Sequence, residues 1–424
     1  MEILIKNARL RNVNRLVNIQ ISEGKITSIS GNCKEKAEIE IDAGGRLVLP
    51  SFSDMHLHLD SVMTIGIPRY NDSGTLQEGI TIWGEYKKKI NKEEMKNRAR
   101  LACEWNASHG TTRIRTHADI TESTLSALKG LLELKQEIKS LIDLEVTAFP
   151  QDGIMTDKQN QELLEKALEL GADNVGIIPH QEFTREDGIK SIEFAFELAK
   201  KYSKNIDGHV DETDDENSKF LEVLAANTIR NHYEGRVTAG HCTAMHSYNN
   251  AYAAKLFSLL KQANITVVPN PPINIHLQGR FDTYPKRRGM ARVKELIQCG
   301  INVALGNDCI MDPWYPLGRG DMLHSLYLCV HIAQLTGYYE LINSLDLITI
   351  NSAKALGIIG NYGIEVGKKA DLVVVDAFNE LETIRDQPAR LFVIKAGRLV
   401  ASTEKRNSHV LRSGKLDPLS FHVG

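Results

Sequence analysis

His56-Leu57-His58, with Asp60 two residues on, has the spacing of a metal-binding pair. Alternate residues of a strand point to one face, so two imidazoles separated by one residue can reach the same ion. The pair follows the apolar run Leu47-Val48-Leu49-Pro50, which reads as a strand ending at the histidines. Other polar residues also stand where apolar runs give out. Gln151 follows residues 146–150, His209 follows 205–208, His241 follows 237–240 and Asp308 follows 303–307. Three imidazoles and one carboxylate drawn from these strand ends would suit a borderline divalent ion such as Zn²⁺ or Fe²⁺. With one coordination position open, such an ion lowers the pKa of bound water to about 7 and makes hydroxide available at neutral pH. Glu212, on the loop leaving the strand that carries His209, is placed to move a proton. The acidic run around it (Asp211, Asp214, Asp215, Glu216) also suits the start of a helix, where carboxylates meet the positive end of the dipole. No lysine falls at these strand ends, which favours one ion over a lysine-bridged pair.

Chemistry of this kind needs a frame that gathers strand ends. Strand-like runs at 112–116, 142–148, 174–178, 205–210, 236–239, 265–269 and 302–305 alternate with helix-like runs. The helical runs are 92–108, 124–138, 160–169, 189–202, 214–227, 252–262 and 290–298. With the strand before His56 this gives the eight units of a (β/α)8 TIM barrel, an α/β fold whose chemistry lies at the C-terminal ends of its strands. Short alternating runs separated by turns recur at both chain ends. The expected organisation is a small β-sandwich domain built from residues 1–49 and 361–424, with the barrel formed by residues 50–360.

Composition narrows the function class. The net charge is −3, which gives no electrostatic case for nucleic acid or anionic membranes. No long apolar stretch and no basic-then-apolar leader is present, so a cytoplasmic protein is expected. The six cysteines, Cys33, Cys103, Cys242, Cys299, Cys309 and Cys329, are scattered without a Cys-x-x-Cys pair. That pattern suits reduced thiols rather than disulfides or a zinc finger. It also lacks the Pro-Cys-x-x-Cys segment of the small zinc deaminases.

The motifs closely resemble those of bacterial cytosine deaminase in the amidohydrolase superfamily, nearly end to end. His56-Leu57-His58-Leu59-Asp60 resembles the first-strand metal motif, and Ser73-Gly74-Thr75-Leu76 the substrate-facing loop. Phe149-Pro150-Gln151 resembles the strand end whose Gln binds the pyrimidine edge, and His209-Val210-Asp211-Glu212 the third histidine ligand with the catalytic Glu. Residues 241–248, opening on the catalytic His241, resemble the sixth-strand segment. Residues 274–289 match a long segment specific to this branch, and Asp312-Pro313-Trp314-Tyr315-Pro316 resembles the segment supplying an aromatic wall. The resemblance implies one Fe²⁺ or Zn²⁺ and a homo-oligomer, hexameric in known relatives. It implies a free pyrimidine base as the partner molecule. It also implies hydrolytic removal of the amine at C4, with Glu212 carrying a proton to N3 and His241 and Asp308 holding the attacking hydroxide. Gln151 and the Leu76 backbone would read the ring edge, and Trp314 would pack on the ring.

Two departures flank the last ligand. The family has His-Asp-Asp where this chain has Asn307-Asp308-Cys309. The sequence suggests no role for Asn307. At Cys309 a charged, acceptor-only carboxylate is replaced by a thiol that behaves as a small apolar group. That leaves apolar room near C5, where burying a methyl is worth about 0.8 kcal/mol. The expected reaction is cytosine to uracil and 5-methylcytosine to thymine, with the methylated base favoured. The competing readings are a ring aminohydrolase acting on isoguanine, creatinine or an amino-triazine, a hydantoinase-like cyclic-amide hydrolase, and a non-enzymatic protein on the same fold. The 274–289 match weighs against the first. Gln151 and the missing bridging lysine weigh against the second. The retained His56, His58, His209, Asp308 and Glu212 weigh against the third.

Overall fold

A computed structural model describes residues 2–32 and 36–422 of the chain; Cys33 therefore lies outside the described residues. Seven parallel strands form one sheet in chain order: Phe52–Leu57, Thr111–Asp119, Asp143–Phe149, Asn174–Ile177, Asn205–Val210, Val237–His241 and Thr266–Val268. Every residue of Thr111–Asp119 is buried, as expected of a strand covered on both faces. The outer cover is a ring of amphipathic helices. Lys158–Glu169, for example, turns Leu163, Leu164, Ala167 and Leu168 inward at helical spacing and leaves its charged residues outside.

The sheet closes through a segment that is not a regular strand. The expected strand at 302–305 makes one bridge on each side, Val303 with Val267 and Asp308 with Leu57. Ala304 N–H donates to Val267 O at 3.1 Å, and on the other side Asp308 N–H donates to His56 O at 2.7 Å. Asp308 sits at φ 71°, outside the extended region, so the ladder cannot run on. The barrel is thus a nearly closed seven-stranded sheet sealed by an irregular eighth segment.

The strand expected before His56 is also corrected. Val48–Pro50 pairs antiparallel with Leu372–Val375 in a different sheet, and the barrel strand starts at Phe52. The chain changes partners between neighbouring residues: Ser51 N–H donates to Asp371 O and Phe52 N–H to Gly110 O. Two strands follow one another here with almost no turn between them.

A two-layer β unit draws strands from both ends of the chain. One four-stranded sheet runs Lys25–Ser30, Val17–Ser22, Ile3–Ala8, Ile39–Asp42; the other runs Arg398–Ser402, Arg390–Lys395, Leu372–Val375, Val48–Pro50. Ile3, Ile5, Ile19, Ile21 and Ile26 from the first share an apolar core with Val48, Leu372, Val374 and Ile394 from the second. A buried ion pair ties this unit to the barrel: Arg113 of the second barrel strand meets Asp371, at side-chain exposures of 8% and 2%. The Arg113 guanidinium also lies over the Tyr362 ring, 5.1 Å from its centroid. Among the described residues no helix is long and apolar enough to cross a membrane.

Removing Arg113 takes away the nearest partner of the buried Asp371 carboxylate and leaves it only the partly exposed Lys369, 3.5 Å away. Arg113→Met is expected to lower unfolding stability by about 3–5 kcal/mol, read as a drop in the urea midpoint, whereas an unchanged midpoint would show that the pair does not couple the two units.

Candidate metal centre and catalytic pocket

Three imidazoles and a carboxylate converge at the C-terminal mouth of the barrel. His56 is the fifth residue of the first barrel strand and His58 directly follows it. Nε2 of His209 lies 3.1 Å from Nε2 of His56 and 2.9 Å from Nε2 of His58. Asp308 Oδ1 is 3.6 Å from His56 Nε2 and 3.4 Å from His58 Nε2. Metal–nitrogen bonds of about 2.0–2.1 Å give a tetrahedron with edges of roughly 3.3–3.4 Å, so these four donors fit one divalent ion. Burial, reinforced by neighbouring imidazoles, holds His56, His58 and His209 well below the ordinary histidine range, so all three are neutral and offer lone pairs. Burial and the Glu212 carboxyl push Asp308 up. A dication among these donors reverses that by favouring the carboxylate.

The local backbone makes the convergence possible. His209 pairs with Gly240 across adjacent strands, and the His56 ring lies against that glycine. A Cβ at Gly240 would stand 2.9 Å from His56 Nδ1, so a larger residue there would push the ligand away. His58 N–H donates to Asp308 O at 2.9 Å, which fixes the first-strand ligands beside the last one.

Beside the four donors stand two further expected residues. His241 Nε2 is 3.7 Å from Asp308 Oδ2, and its Nδ1 is 3.3 Å from Glu212 Oε1. Burial raises Glu212 to about 8, the state of a carboxyl able to hold and release a proton near neutrality. The acidic run resolves into separate jobs. The Asp211 carboxylate accepts from Phe220 N–H and Leu221 N–H, both at 3.0 Å, and caps the helix Phe220–Arg230. That helix therefore starts at Phe220, later than the expected 214, and Glu212 is left free to face the pocket.

A small pocket is lined by His58, Leu76, Gln151, His209, Glu212, His241, Asp308, Cys309 and Trp314 among others. All the expected site residues meet there except His56, which lies fully buried behind the pocket wall. Leu76 is the first residue of a helix, Leu76–Lys87, rather than part of an open loop; the Thr75 side chain caps it by accepting from Glu78 N–H. Trp314 is held from two sides. Asp312 accepts from its N–H at 3.0 Å, and its indole lies over Gly79, where a Cβ would come within 2.3 Å of Cδ1. Cys309 packs in an apolar cluster with Trp83, Ile273, Leu277, Trp314 and Tyr315.

Several contributors were not visible in the sequence. Asn307 turns out to brace the metal centre: its Nδ2 donates to Asp54 Oδ2 at 2.8 Å, and its Oδ1 accepts from Ser325 at 2.6 Å. Asp54 is fully buried and pushed up to about 7 by that burial, and its Oδ1 accepts from the His56 N–H. His117, one residue past the expected end of its strand, lies under the ligands, with its ring 4.1 Å from that of His56. Its Nε2 is 3.0 Å from Asp207 Oδ2. Donor atoms of His56, His209, His241 and Asp308, and those of His56, His58 and His117, also fall within 4.8 Å of one another. His117 is engaged by Asp207, and the shortest contacts belong to the first-described four.

A parallel barrel with buried, neutral histidines and buried carboxyl groups gathered at its strand ends has the make-up of a metal-dependent hydrolase. The chain belongs to the amidohydrolase family, whose profile matches residues 73–401. It is 33% identical over 417 residues to N-isopropylammelide isopropyl amidohydrolase of Pseudomonas sp. (strain ADP), covering 95% of this chain and 98% of that protein. Its fold superposes on 5-methylcytosine deaminase from Klebsiella pneumoniae liganded with 5-fluorocytosine at TM-score 0.93 and 43% identity, covering 97% of this chain and all of that one. The same enzyme liganded with phosphonocytosine gives 0.92 and 44%, covering 96% of this chain and 100% of that chain.

Asn307→Ala removes the brace behind His56 and Asp308. Metal affinity is expected to fall about 10–100-fold, measured by competition with a chromogenic chelator, while an unaltered affinity would mean that the Asp54–Asn307 pair is only structural packing.

Proposed function

We propose that this protein is a metal-dependent aminohydrolase of free pyrimidine bases, converting cytosine to uracil and 5-methylcytosine to thymine, with the methylated base preferred. The observation that carries the preference is Cys309: 4% exposed, beside the ligand Asp308, and surrounded by Trp83, Ile273, Leu277, Trp314 and Tyr315. A methyl directed into that wall displaces no charge and gains burial. The similarity to an enzyme named 5-methylcytosine deaminase supports the same reading.

In this reading His56, His58, His209 and Asp308 hold one Fe²⁺ or Zn²⁺, and such an ion, when bound, acidifies water so that hydroxide is available at neutral pH. Gln151 and the Leu76 backbone orient the ring edge, and Trp314 covers a face of the ring. Flat ligands in small pockets are oriented in this way, by aromatic walls and few polar groups. His241 and Asp308 hold the incoming hydroxide against C4. Of the two protons of the water consumed, Glu212 delivers the first to N3 as the C4–O bond forms. It then passes the second, from the new C4 hydroxyl, to the amine, so that the C4–N bond breaks, ammonia leaves and the oxygen remains as the C4 carbonyl. One water is consumed, and no redox partner is needed.

Purified enzyme assayed for ammonia release from a panel of amino-heterocycles tests the reading. The expected result is a higher kcat/KM for 5-methylcytosine than for cytosine, with triazines and aminopurines slower than either. Cys309→Asp should cut turnover of the methylated base at least about tenfold more than that of cytosine, because a desolvated carboxylate would face the methyl. Glu212→Gln should lower kcat by about 10²–10⁴-fold. Negligible turnover of 5-methylcytosine would overturn the substrate preference, and full activity of Glu212→Gln would overturn the proton path.

A further inference from the structure

We propose that Asn274 is a positioning residue that fixes His241 as its Nε2-protonated tautomer, so that this ring presents a hydrogen-bond donor, and not a base, to the reaction centre. The inference deepens the reading of His241 given above and rests on its place in that site. Asn274 lies on the short helix Pro271–Leu277 and is completely buried. Its side-chain oxygen accepts from the Asn270 backbone N–H at 3.0 Å. That contact settles which way the amide points. Turning it over would set an NH₂ group against a buried backbone N–H and leave two donors facing each other. The adjoining Pro271 and Pro272 have no N–H, so they offer the Asn274 oxygen no alternative donor.

With the oxygen committed, the Asn274 Nδ2 group must face outward from the helix, and it meets His241 Nδ1 at 2.9 Å. An amide N–H donates, so Nδ1 must accept. A neutral imidazole has one protonated and one unprotonated nitrogen, so the proton resides on Nε2. Nε2 faces Asp308 Oδ2 at 3.7 Å, and His241 is one of the residues lining the pocket. Asn270 stands beside it, with Nδ2 3.3 Å from Nε2 and an Oδ1 that has no partner; half a turn of that amide would offer the oxygen to the Nε2 proton. The backbone of His241 is itself held in the left-handed region, at φ 64°, so the ring enters the site at an angle the strand alone would not give. Glu212 Oε1 also lies 3.3 Å from Nδ1, but the single lone pair there is taken by the nearer Asn274 amide, which leaves the Glu212 carboxyl free to take up and release protons. Proton transport thereby falls to Glu212, and His241 is left to steady developing charge on oxygen.

Asn274→Asp is the discriminating variant. The carboxylate keeps the shape and the contact to Asn270 N–H, but it replaces the donor at Nδ1 with an acceptor and so demands the opposite tautomer. Nitrogen-15 spectra of histidine-labelled, Zn²⁺-loaded protein, with the His241 signal identified by its loss in His241→Gln, read the tautomer directly. The expected result is an unprotonated Nδ1 and protonated Nε2 in the parent and the reverse in Asn274→Asp, with kcat lowered about 10²–10⁴-fold and KM changed less than threefold. A parent protein with its proton on Nδ1, or an Asn274→Asp variant that keeps its kcat, would overturn the proposal. The parent spectrum stands whether or not the variant folds, and it does not depend on which heterocycle is the substrate.

Discussion

The closing seam of the barrel is the constraint on which the site depends. Asp308 donates its N–H to His56 O at 2.7 Å, and His58 donates its N–H to Asp308 O at 2.9 Å. These two hydrogen bonds join the first barrel strand to the last segment, and the residues they join are also the proposed metal ligands. The proposed ligand set is therefore tied to sheet closure: the register that seals the barrel also brings two imidazoles and a carboxylate together. Asp308 reaches this position at φ 71°, and His241, Cys242 and Asp211 also lie in the left-handed region. Such backbone costs of order 1–3 kcal/mol per residue and persists only where surrounding contacts over-determine it. Here the contacts are the seam itself, the Asp211 cap on Phe220–Arg230 and the paired strands beneath.

Below the ligands the barrel interior is polar but paired. Arg115 meets Glu145 at 2.8 Å and donates to Thr238 at 3.1 Å, while Asp207 engages His117 and Thr238. Burial pushes the Asp207 carboxyl up, but Arg115, His117 and the Thr238 hydroxyl together hold it below the ordinary range, so its carboxylate stays ionised beside the guanidinium. A floor of paired charges and hydrogen bonds thus supports the imidazoles. Glu212 differs from the solvent-facing members of its acidic run in being buried, which raises its carboxyl to about 8.

What was legible in the sequence follows from how local each signal is. Strand ends are local, so His56, His58, Gln151, His209, His241 and Asp308 could be picked from the points where apolar runs stop. The alternation of apolar runs and amphipathic stretches marked the barrel for the same reason. Leu47–Pro50 misled because the chain passes from one sheet to another between Ser51 and Phe52, with no turn residue to announce it. The eighth strand failed for the opposite reason: its role is fixed by partners on both sides, while its own backbone leaves the extended region at Asp308. Asn307 and Asn274 were silent because an amide's function is decided by its neighbours, Asp54 and Ser325 for one and Asn270 and His241 for the other. No spacing rule reaches across those separations.

Specificity, unlike reaction class, is written in the wall opposite the ligands, and that wall is stiff. Trp314 is pinned by the Asp312 carboxylate, which accepts from the backbone N–H groups of both Trp314 and Tyr315 at 3.0 Å. On its other side the indole occupies space that exists only because residue 79 has no side chain. The helix carrying Gly79 is in turn anchored to the barrel, since Trp83 donates to Asp119 at 2.8 Å and Lys87 bridges Asp119 and Asp152. A wall held at three points cannot swing to compensate for a change of volume beside it. Packing differences at Cys309 are therefore passed to whatever ring lies between it and Trp314, rather than absorbed by the protein. In the reading proposed above, the thiol beside Asp308 sets substrate choice without disturbing the metal chemistry. The sequence holds both halves of that arrangement in adjacent residues, Asp308 and Cys309.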